Sequence, residues 1–271
     1  MKLQLFQVDA FAEQVFQGNP AAVCPLDAWP ASWLLQAIAE ENNLSETAFF
    51  VPDGDGFALR WFTPVEEVDL CGHATLASAH VLFEHLGYEK PAVRFRTRSG
   101  ELVVTRSARG LRMDFPAISP RVCDIPPLLL SGLGKPPQEV LAASDYIAVY
   151  TSEDDVRSLQ PDFMQLQALD LRGVVATAPG QETDFVSRCF YPKLRVNEDP
   201  VTGSAHCQLA PYWSRRLGRQ ELHARQLSKR GGAVVCEVVH ERVFLSGRAA
   251  DYMVAEIRLP TEQANTRVGA A

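Results

Sequence analysis

Two short stretches carry residue types suited to chemistry beside a carboxylate. Asp69-Leu70-Cys71-Gly72-His73-Ala74-Thr75 and Asp199-Pro200-Val201-Thr202-Gly203-Ser204-Ala205-His206 each place an Asp a few residues before a Gly. Small and apolar residues follow in both, and these runs read as helices over Ala74 to Gly87 and Ala205 to Leu217. Small side chains allow close packing, so each helix start is expected to be buried, with free backbone N–H groups at Gly72, His73 and Ala74 and at Gly203, Ser204 and Ala205. A buried helix start favours an anion. Two of them facing one cleft would hold a carboxylate, or the enolate that forms when a proton leaves the carbon beside it. Asp69 and Asp199 read equally well as caps for their own helices, which is compatible with the cleft.

Glu46 is the candidate for moving that proton. In a strand from Leu44 to Val51 it shares a face with Leu44, Ala48 and Phe50, while Ser45, Thr47, Phe49 and Val51 share the other. Its neighbours are apolar whichever face is inside, and desolvation raises a carboxyl pKa toward neutrality. A solvated Glu at a strand end, or a cap for the turn after Asn42-Asn43, is the competing reading. On the residues alone that reading is the stronger, because Glu is mostly exposed. His73 lies in the turn beside Gly72 and not on the apolar helix face. No metal site is expected: His80 and His85 are five apart, a spacing that does not put them on one helix face as an i, i+4 pair would be. There is no G-x-S-x-G elbow, P-loop or dinucleotide fingerprint, so hydrolase, NTPase and nicotinamide chemistries lack support.

The elements that must position these residues occur twice. Gly72 and Gly203 are 131 residues apart in a chain of 271, close to half its length. Upstream of each lies an alternating strand with an Arg two places before a Phe and a Pro closing it: Arg60-Trp61-Phe62-Thr63-Pro64 and Arg188-Cys189-Phe190-Tyr191-Pro192. Downstream, Arg94 to Pro116 and Ala224 to Arg248 both read as strands separated by glycine turns. The chain is therefore read as duplicated α+β, with one unit over 1–117 and a second over 118–271, the last strand near Ala255 to Leu259 belonging to either. Ahead of the first repeat, Leu3 to Ala10 reads as a strand, Gly18-Asn19-Pro20 as a turn, Ala21 to Cys24 as a strand, and a helix opens at Pro30 and runs to Asn43. The tail from Thr261 to Ala271 is polar and small and is expected to fray.

Composition narrows the partners. Net charge is -7, and the basic residues form no stripe, which argues against nucleic acid. No tract is long enough to span a bilayer, and the first residues lack the apolar stretch of a signal peptide. The six cysteines include no C-x-x-C pair, so reduced thiols in a cytoplasm are the economical reading.

Four blocks together carry a resemblance. Phe16-x-Gly18-Asn19-Pro20-Ala21, Ser45-Glu46-Thr47-Ala48-Phe49, Cys71-Gly72-His73-Ala74-Thr75 and Asp199-Pro200-x-Thr202-Gly203-Ser204-Ala205 resemble, in order and across most of the chain, the signature of the PhzF-like phenazine-biosynthesis isomerase family. The resemblance implies the diaminopimelate-epimerase-like fold: two similar domains related by a pseudo-twofold axis, each a curled, mostly antiparallel sheet around a central helix, with the site between them. It implies that Glu46 shuttles the proton, that His73 and Asp199 assist, and that the Gly72-His73 and Gly203-Ser204 backbone holds the substrate carboxylate, with Asn19 beside it. It raises Glu46 from the weaker reading to the stronger. A cofactor-independent isomerase of a small carboxylate is implied, similar to the enzyme that isomerises trans-2,3-dihydro-3-hydroxyanthranilate; family habit suggests a homodimer. Epimerases of the same fold have a Cys before each Gly, whereas this chain has Cys71 but Thr202, so two-thiol epimerisation is not expected. Two other readings stay open: a binding protein without catalysis, and a racemase using the single thiol of Cys71.

Overall fold

The computed structural model describes residues 2–259. The tail expected to fray, Thr261 to Ala271, lies outside them. The first half begins with strands β1 (Lys2–Ala10) and β2 (Asn19–Pro25), then helix α1 (Ser32–Asn42), strands β3 (Glu46–Asp53), β4 (Gly56–Phe62) and β5 (Glu67–Val68), and helix α2 (Gly72–Glu84). Strands β6 (Ala92–Thr97), β7 (Gly100–Ser107), β8 (Gly110–Pro116) and β9 (Arg121–Val122) complete it. The second half opens with α3 (Pro127–Leu133), β10 (Glu139–Ala142), β11 (Tyr146–Val149), α4 (Glu153–Arg157) and α5 (Phe163–Gln167). It continues through β12 (Val174–Pro179), β13 (Phe185–Tyr191), β14 (Val196–Asp199) and α6 (Gly203–Leu217) to β15 (Glu221–Gln226), β16 (Gly232–Val239), β17 (Arg242–Gly247) and β18 (Ala249–Arg258). None of the helices described is long and apolar enough to cross a membrane.

The strand pairings repeat. In the first half β1 pairs with β2, β2 runs parallel to β3, β4 pairs with β3 and runs parallel to β6, and β7 and β8 follow as antiparallel neighbours. The second half reproduces this with β10, β11, β12, β13, β15, β16 and β17. The two sheets join through β8 and β17, where Leu111 faces Gly247 and Pro116 faces Arg242. A shift of 131 residues carries Leu111 onto Arg242 and Pro116 onto Gly247, so the two end pairs are one pair seen from opposite sides of a pseudo-twofold axis. Each half also lends its final strand to the other: β9 pairs with β10, and β18 with β1. The C-terminal strand thus lies against the first half.

Burial follows from the side chains. Ten of the thirteen residues of α2 are buried, most of them Ala, Ser, Thr or Leu, which lets the strands close tightly round it. The inner faces around α2 and α6 form one continuous core that includes Leu76, Val81, Leu209 and Trp213. α1 covers the outer face of the first half, over Phe49 and Phe62, and α3 to α5 cover that of the second, over Val174 and Phe190. Strand β3 is therefore covered on both sides.

Three local readings need correcting. α1 begins at Ser32, after Pro30, with Ala31 as its N-cap. α2 ends at Glu84 with His85 as C-cap, three residues short of Gly87, because the next N–H groups of Leu86 and Tyr88 fold back onto Val81 and Leu82. Neither central helix is capped by an Asp: the N-caps are Cys71 and Thr202, and neither makes a side-chain capping bond.

Gly18 holds the turn that delivers Asn19. Its φ is +66°, and a Cβ there would stand 2.1 Å from the Ala10 carbonyl oxygen, a backbone atom that cannot swing aside. Its N–H donates to the Gly231 carbonyl at 2.6 Å, and Arg230 donates to its carbonyl at 2.9 Å, so the second half grips this turn of the first. Gly18→Ala is expected to lower stability by more than about 1 kcal/mol, measured as a shift in the denaturant midpoint without a change in slope.

Candidate active site

The two central helices begin against each other. A Cβ placed on Gly72 would lie 3.9 Å from the Cα of Gly203, and a Cβ on Gly203 would lie 3.9 Å from the Cα of Gly72. The paired helix starts expected from the sequence are therefore neighbours at the junction of the halves. Their N-caps match in conformation, φ −144° and ψ 108° at Cys71 against φ −117° and ψ 101° at Thr202.

Glu46 opens β3 on the face it shares with Ala48 and Phe50, toward the core around α2. Its side chain retains 19% exposure. Burial raises its pKa to about 8, the charge of Asp199 adds to the rise, and a hydrogen bond with the Cys71 thiol works in the other direction. His73 Nε2 is 3.2 Å from Glu46 Oε2, and His73 Nδ1 is 3.5 Å from Cys71 Sγ. Burial lowers the His73 pKa to about 3. At neutral pH the pair is thus a neutral imidazole beside a carboxylic acid, and the 3.2 Å contact is not an ion pair. Its angles are also poor for a hydrogen bond, which leaves Glu46 Oε2 and His73 Nε2 as buried atoms without an aligned partner. Such atoms are uncommon, and two together mark a place where a ligand's polar groups would fit.

Asp199 ends β14 and enters from the second half. Burial raises its pKa to about 6, while hydrogen bonds from Thr202 and Asn19 and the charge of Arg172 oppose the rise. Thr202 Oγ1 donates to Asp199 Oδ2 at 2.5 Å, and Asn19 Nδ2 donates to Oδ1 at 2.9 Å. Asn19 is fully buried, donates also to the Val201 carbonyl at 3.0 Å, and accepts from Ser45 Oγ at 2.8 Å. It therefore ties the residue before Glu46 to Asp199 across the junction. Burial raises both carboxyls, and the charge of Asp199 pushes Glu46 further in the same direction, so the two titrate as a coupled pair.

Asp69 has a different place. Its side chain is 73% exposed, 3.7 Å from Arg98. Strand register explains why: Trp61 faces Val68 in the first half as Cys189 faces Asp199 in the second, so the counterpart of Asp199 is Val68. Likewise Thr47 faces Phe62 as Val174 faces Phe190, which makes Gly173 the counterpart of Glu46. A Cβ on Gly173 would meet the Tyr191 ring at 2.2 Å, so that position is filled by Tyr191.

Sequence reading missed the support around Ser204. Arg172 clasps Asp145 through two hydrogen bonds of 2.8 and 2.6 Å and donates to Ser204 Oγ at 3.1 Å. Asp145 is fully buried and also accepts from Gln208 Nε2 at 2.6 Å. Gln226, fully buried, accepts from the Thr202 N–H at 2.9 Å and donates to the Asp199 carbonyl at 2.7 Å. None of these residues lies in a motif; only Asp145, a polar residue directly before the apolar strand β11, carried a local signal.

Glu46, Cys71 and His73 bring donor atoms within 4.8 Å of one another, close enough to share a cation. Burial keeps the Glu46 carboxyl protonated and pushes the Cys71 thiol well above its ordinary value, and neither protonated form is a good ligand. A second trio, His80, His85 and Asp251, also converges. The expectation that His80 and His85 point apart fails because α2 stops between them.

The family model for phenazine biosynthesis-like proteins matches residues 8–255, and the chain belongs to that family. An isomerase of Pseudomonas aeruginosa named as uncharacterized is 56% identical over 259 residues, covering 96% of this chain and all of that protein. The crystal structure of a PhzF-family phenazine biosynthesis protein from Enterococcus faecalis superposes with a TM-score of 0.94 at 48% identity, over 96% of this chain and all of that one. A hydroxyproline epimerase from Agrobacterium vitis, 12% identical with a TM-score of 0.60 over 97% of this chain and 94% of its own, shares the fold. The fold is the PhzF and diaminopimelate-epimerase-like one, with two similar halves.

Two outcomes are expected. A Cβ on Gly203 would make only ordinary contacts, 3.7 Å to Leu245 and 3.9 Å to Gly72, so packing does not demand glycine there. Gly203→Ala should keep wild-type stability within about 1 kcal/mol while placing a methyl group where the two helix starts meet and reducing turnover; calorimetry beside a rate assay separates the two effects. The second concerns Glu46. Its pKa in the folded chain is about 8 against an ordinary 4.5, so folding favours the protonated form. That contribution is complete below about pH 4.5 and is lost as pH rises through about 8. Glu46→Gln lacks this titration and should melt above the wild type beyond pH 8, the gap closing toward pH 4.5, in thermal scans across pH.

Proposed function

We propose that this protein is a cofactor-independent isomerase of a small carboxylate, possessing one proton-transfer group, Glu46. Its homologues of similar length carry the name isomerase, which supports the reaction class. The observation that carries the assignment is the state of Glu46: a buried carboxyl with a pKa of about 8, touching His73 and facing the charge of Asp199. A pKa near the working pH lets one group both take and return a proton.

In this reading the substrate carboxylate lies against the N–H groups at Gly72-His73 and Gly203-Ser204, whose dipole ends favour negative charge. The ionised form of Glu46 takes a proton from a carbon made acidic by conjugation with that carboxylate. The electron pair moves into the conjugated system, where the same N–H groups hold the added charge. Glu46 then returns the proton to a different carbon on the same face, and the double bonds shift. By raising the Glu46 pKa, the Asp199 charge makes the ionised carboxylate a stronger base and steadies the transferred proton on it until that proton is returned. His73, neutral and next to Glu46, offers its unpaired Nε2 to the substrate without adding charge. Cys71 is a poor base because burial, with the nearby Glu46 charge, holds its thiol protonated, which counts against the one-thiol racemase.

The substrate class that fits is a cyclic dienoic or amino carboxylate, of which trans-2,3-dihydro-3-hydroxyanthranilate is the first to try. Proton NMR in deuterated water should show isomerisation or deuterium uptake with the wild type. Glu46→Gln, shown to be folded, should slow it at least about a hundredfold. A folded Glu46→Gln protein with the wild-type rate would reject Glu46 as the proton carrier.

A further inference from the structure

At the far end of α2 from His73, three side chains meet that the isomerase reading does not use. His80 Nε2 and His85 Nε2 lie 3.1 and 2.8 Å from the same oxygen, Asp251 Oδ1. The three donor atoms are all within 4.8 Å of one another. Tetrahedral ligands about 2.0–2.1 Å from a zinc ion stand about 3.3 Å apart, so two of these spacings are already near the edge of such a polyhedron.

The backbone has two irregularities here, and both serve the convergence. α2 ends at Glu84, and His85 as C-cap takes φ −112° and ψ −29°, which turns its ring back beside that of His80, with ring centroids 6.0 Å apart. The pairing of β1 with β18 slips between Gln7 and Val8: Val8 faces Asp251, Gln7 faces Met253, and Tyr252 is the extra residue. Such a bulge reverses the alternation of side chains and re-aims its neighbours. Asp251 is thereby aligned with the end of α2. Phe6, buried beneath, packs its ring 4.8 Å from that of His85 and fixes its orientation.

We infer that His80, His85 and Asp251 form a site for a divalent transition cation of the zinc class, which clips the crossing strand β18 to the end of α2. Two imidazoles and one carboxylate suit zinc, copper, nickel or cobalt over magnesium or calcium. The cation lies between the two imidazole nitrogens and the Asp251 carboxylate, each imidazole carrying its proton on Nδ1. His85 and Asp251 are partly exposed, with side chains 25% and 45% accessible, so the remaining coordination positions open to water. The ion ties the last strand of the second half, already paired with β1, to the central helix of the first.

The test uses the full chain without an affinity tag. Zinc is titrated in competition with a chromophoric chelator, and cobalt absorption reads the donor atoms. One equivalent per chain is expected. Its affinity should fall at least about tenfold in His85→Gln and in Asp251→Asn, and bound cobalt should show visible bands without a thiolate charge-transfer band. Zinc should raise the melting temperature of the wild type and not that of the variants. Absence of saturable binding, unchanged affinity in both variants, or a thiolate band placing the ion at Cys71 would overturn the inference.

Discussion

Moving a carboxylate out of water costs several kcal/mol unless something replaces its hydration, and Glu46 is moved out of water where two halves of the chain meet. β3 has core on both faces, so its first residue has only the junction to face. There it finds a neutral His73, the Cys71 thiol and the charge of Asp199. The least costly response is to keep the proton. A raised pKa is then a direct result of how strands and helices pack, and the basicity it gives the Glu46 carboxylate is what the proposed chemistry uses.

Duplication supplies the setting, and divergence of the copies supplies the function. The same β8–β17 register that relates the halves also sets the two glycine helix starts face to face. Equivalent positions then differ. The first half has Glu46 and Val68 where the second has Gly173 and Asp199. Each half contributes one carboxyl from a different position, so the pair is asymmetric although the scaffold is not. Asn19 and Arg230 reach across and lock the arrangement, one onto Asp199 and the other onto the turn carrying Asn19. A two-base epimerase would place equivalent groups on both sides; here the N-cap Cys71 is answered by Thr202, whose hydroxyl is committed to Asp199.

Much of this was legible because glycine-led helix starts and aromatic-closed strands leave local marks. Gly72 and Gly203, the turn at Gly18 and the face shared by Glu46, Ala48 and Phe50 all follow from residue type and alternation. Glu46 itself was ambiguous: alternation gives its face, but only tertiary packing says that both faces are covered. Asp69 takes the matching place to Asp199 in the sequence repeat, but strand register gives that place to Val68, and one residue reverses the side of a strand. Arg172, Asp145 and Gln226 left no motif, since their partners are 24 to 63 residues away. His80 and His85 were dismissed on helical spacing that ends at Glu84, and Asp251 is 166 residues from its nearer partner.

The direct test of the central claim is the titration of Glu46 itself. Carbon NMR of protein labelled at the glutamate carboxyls, compared with Glu46→Gln, identifies its resonance. A signal that titrates near pH 8 and disappears in the variant is the expected result. A Glu46 carboxyl titrating below pH 5, in the range of solvated glutamates, would contradict the account.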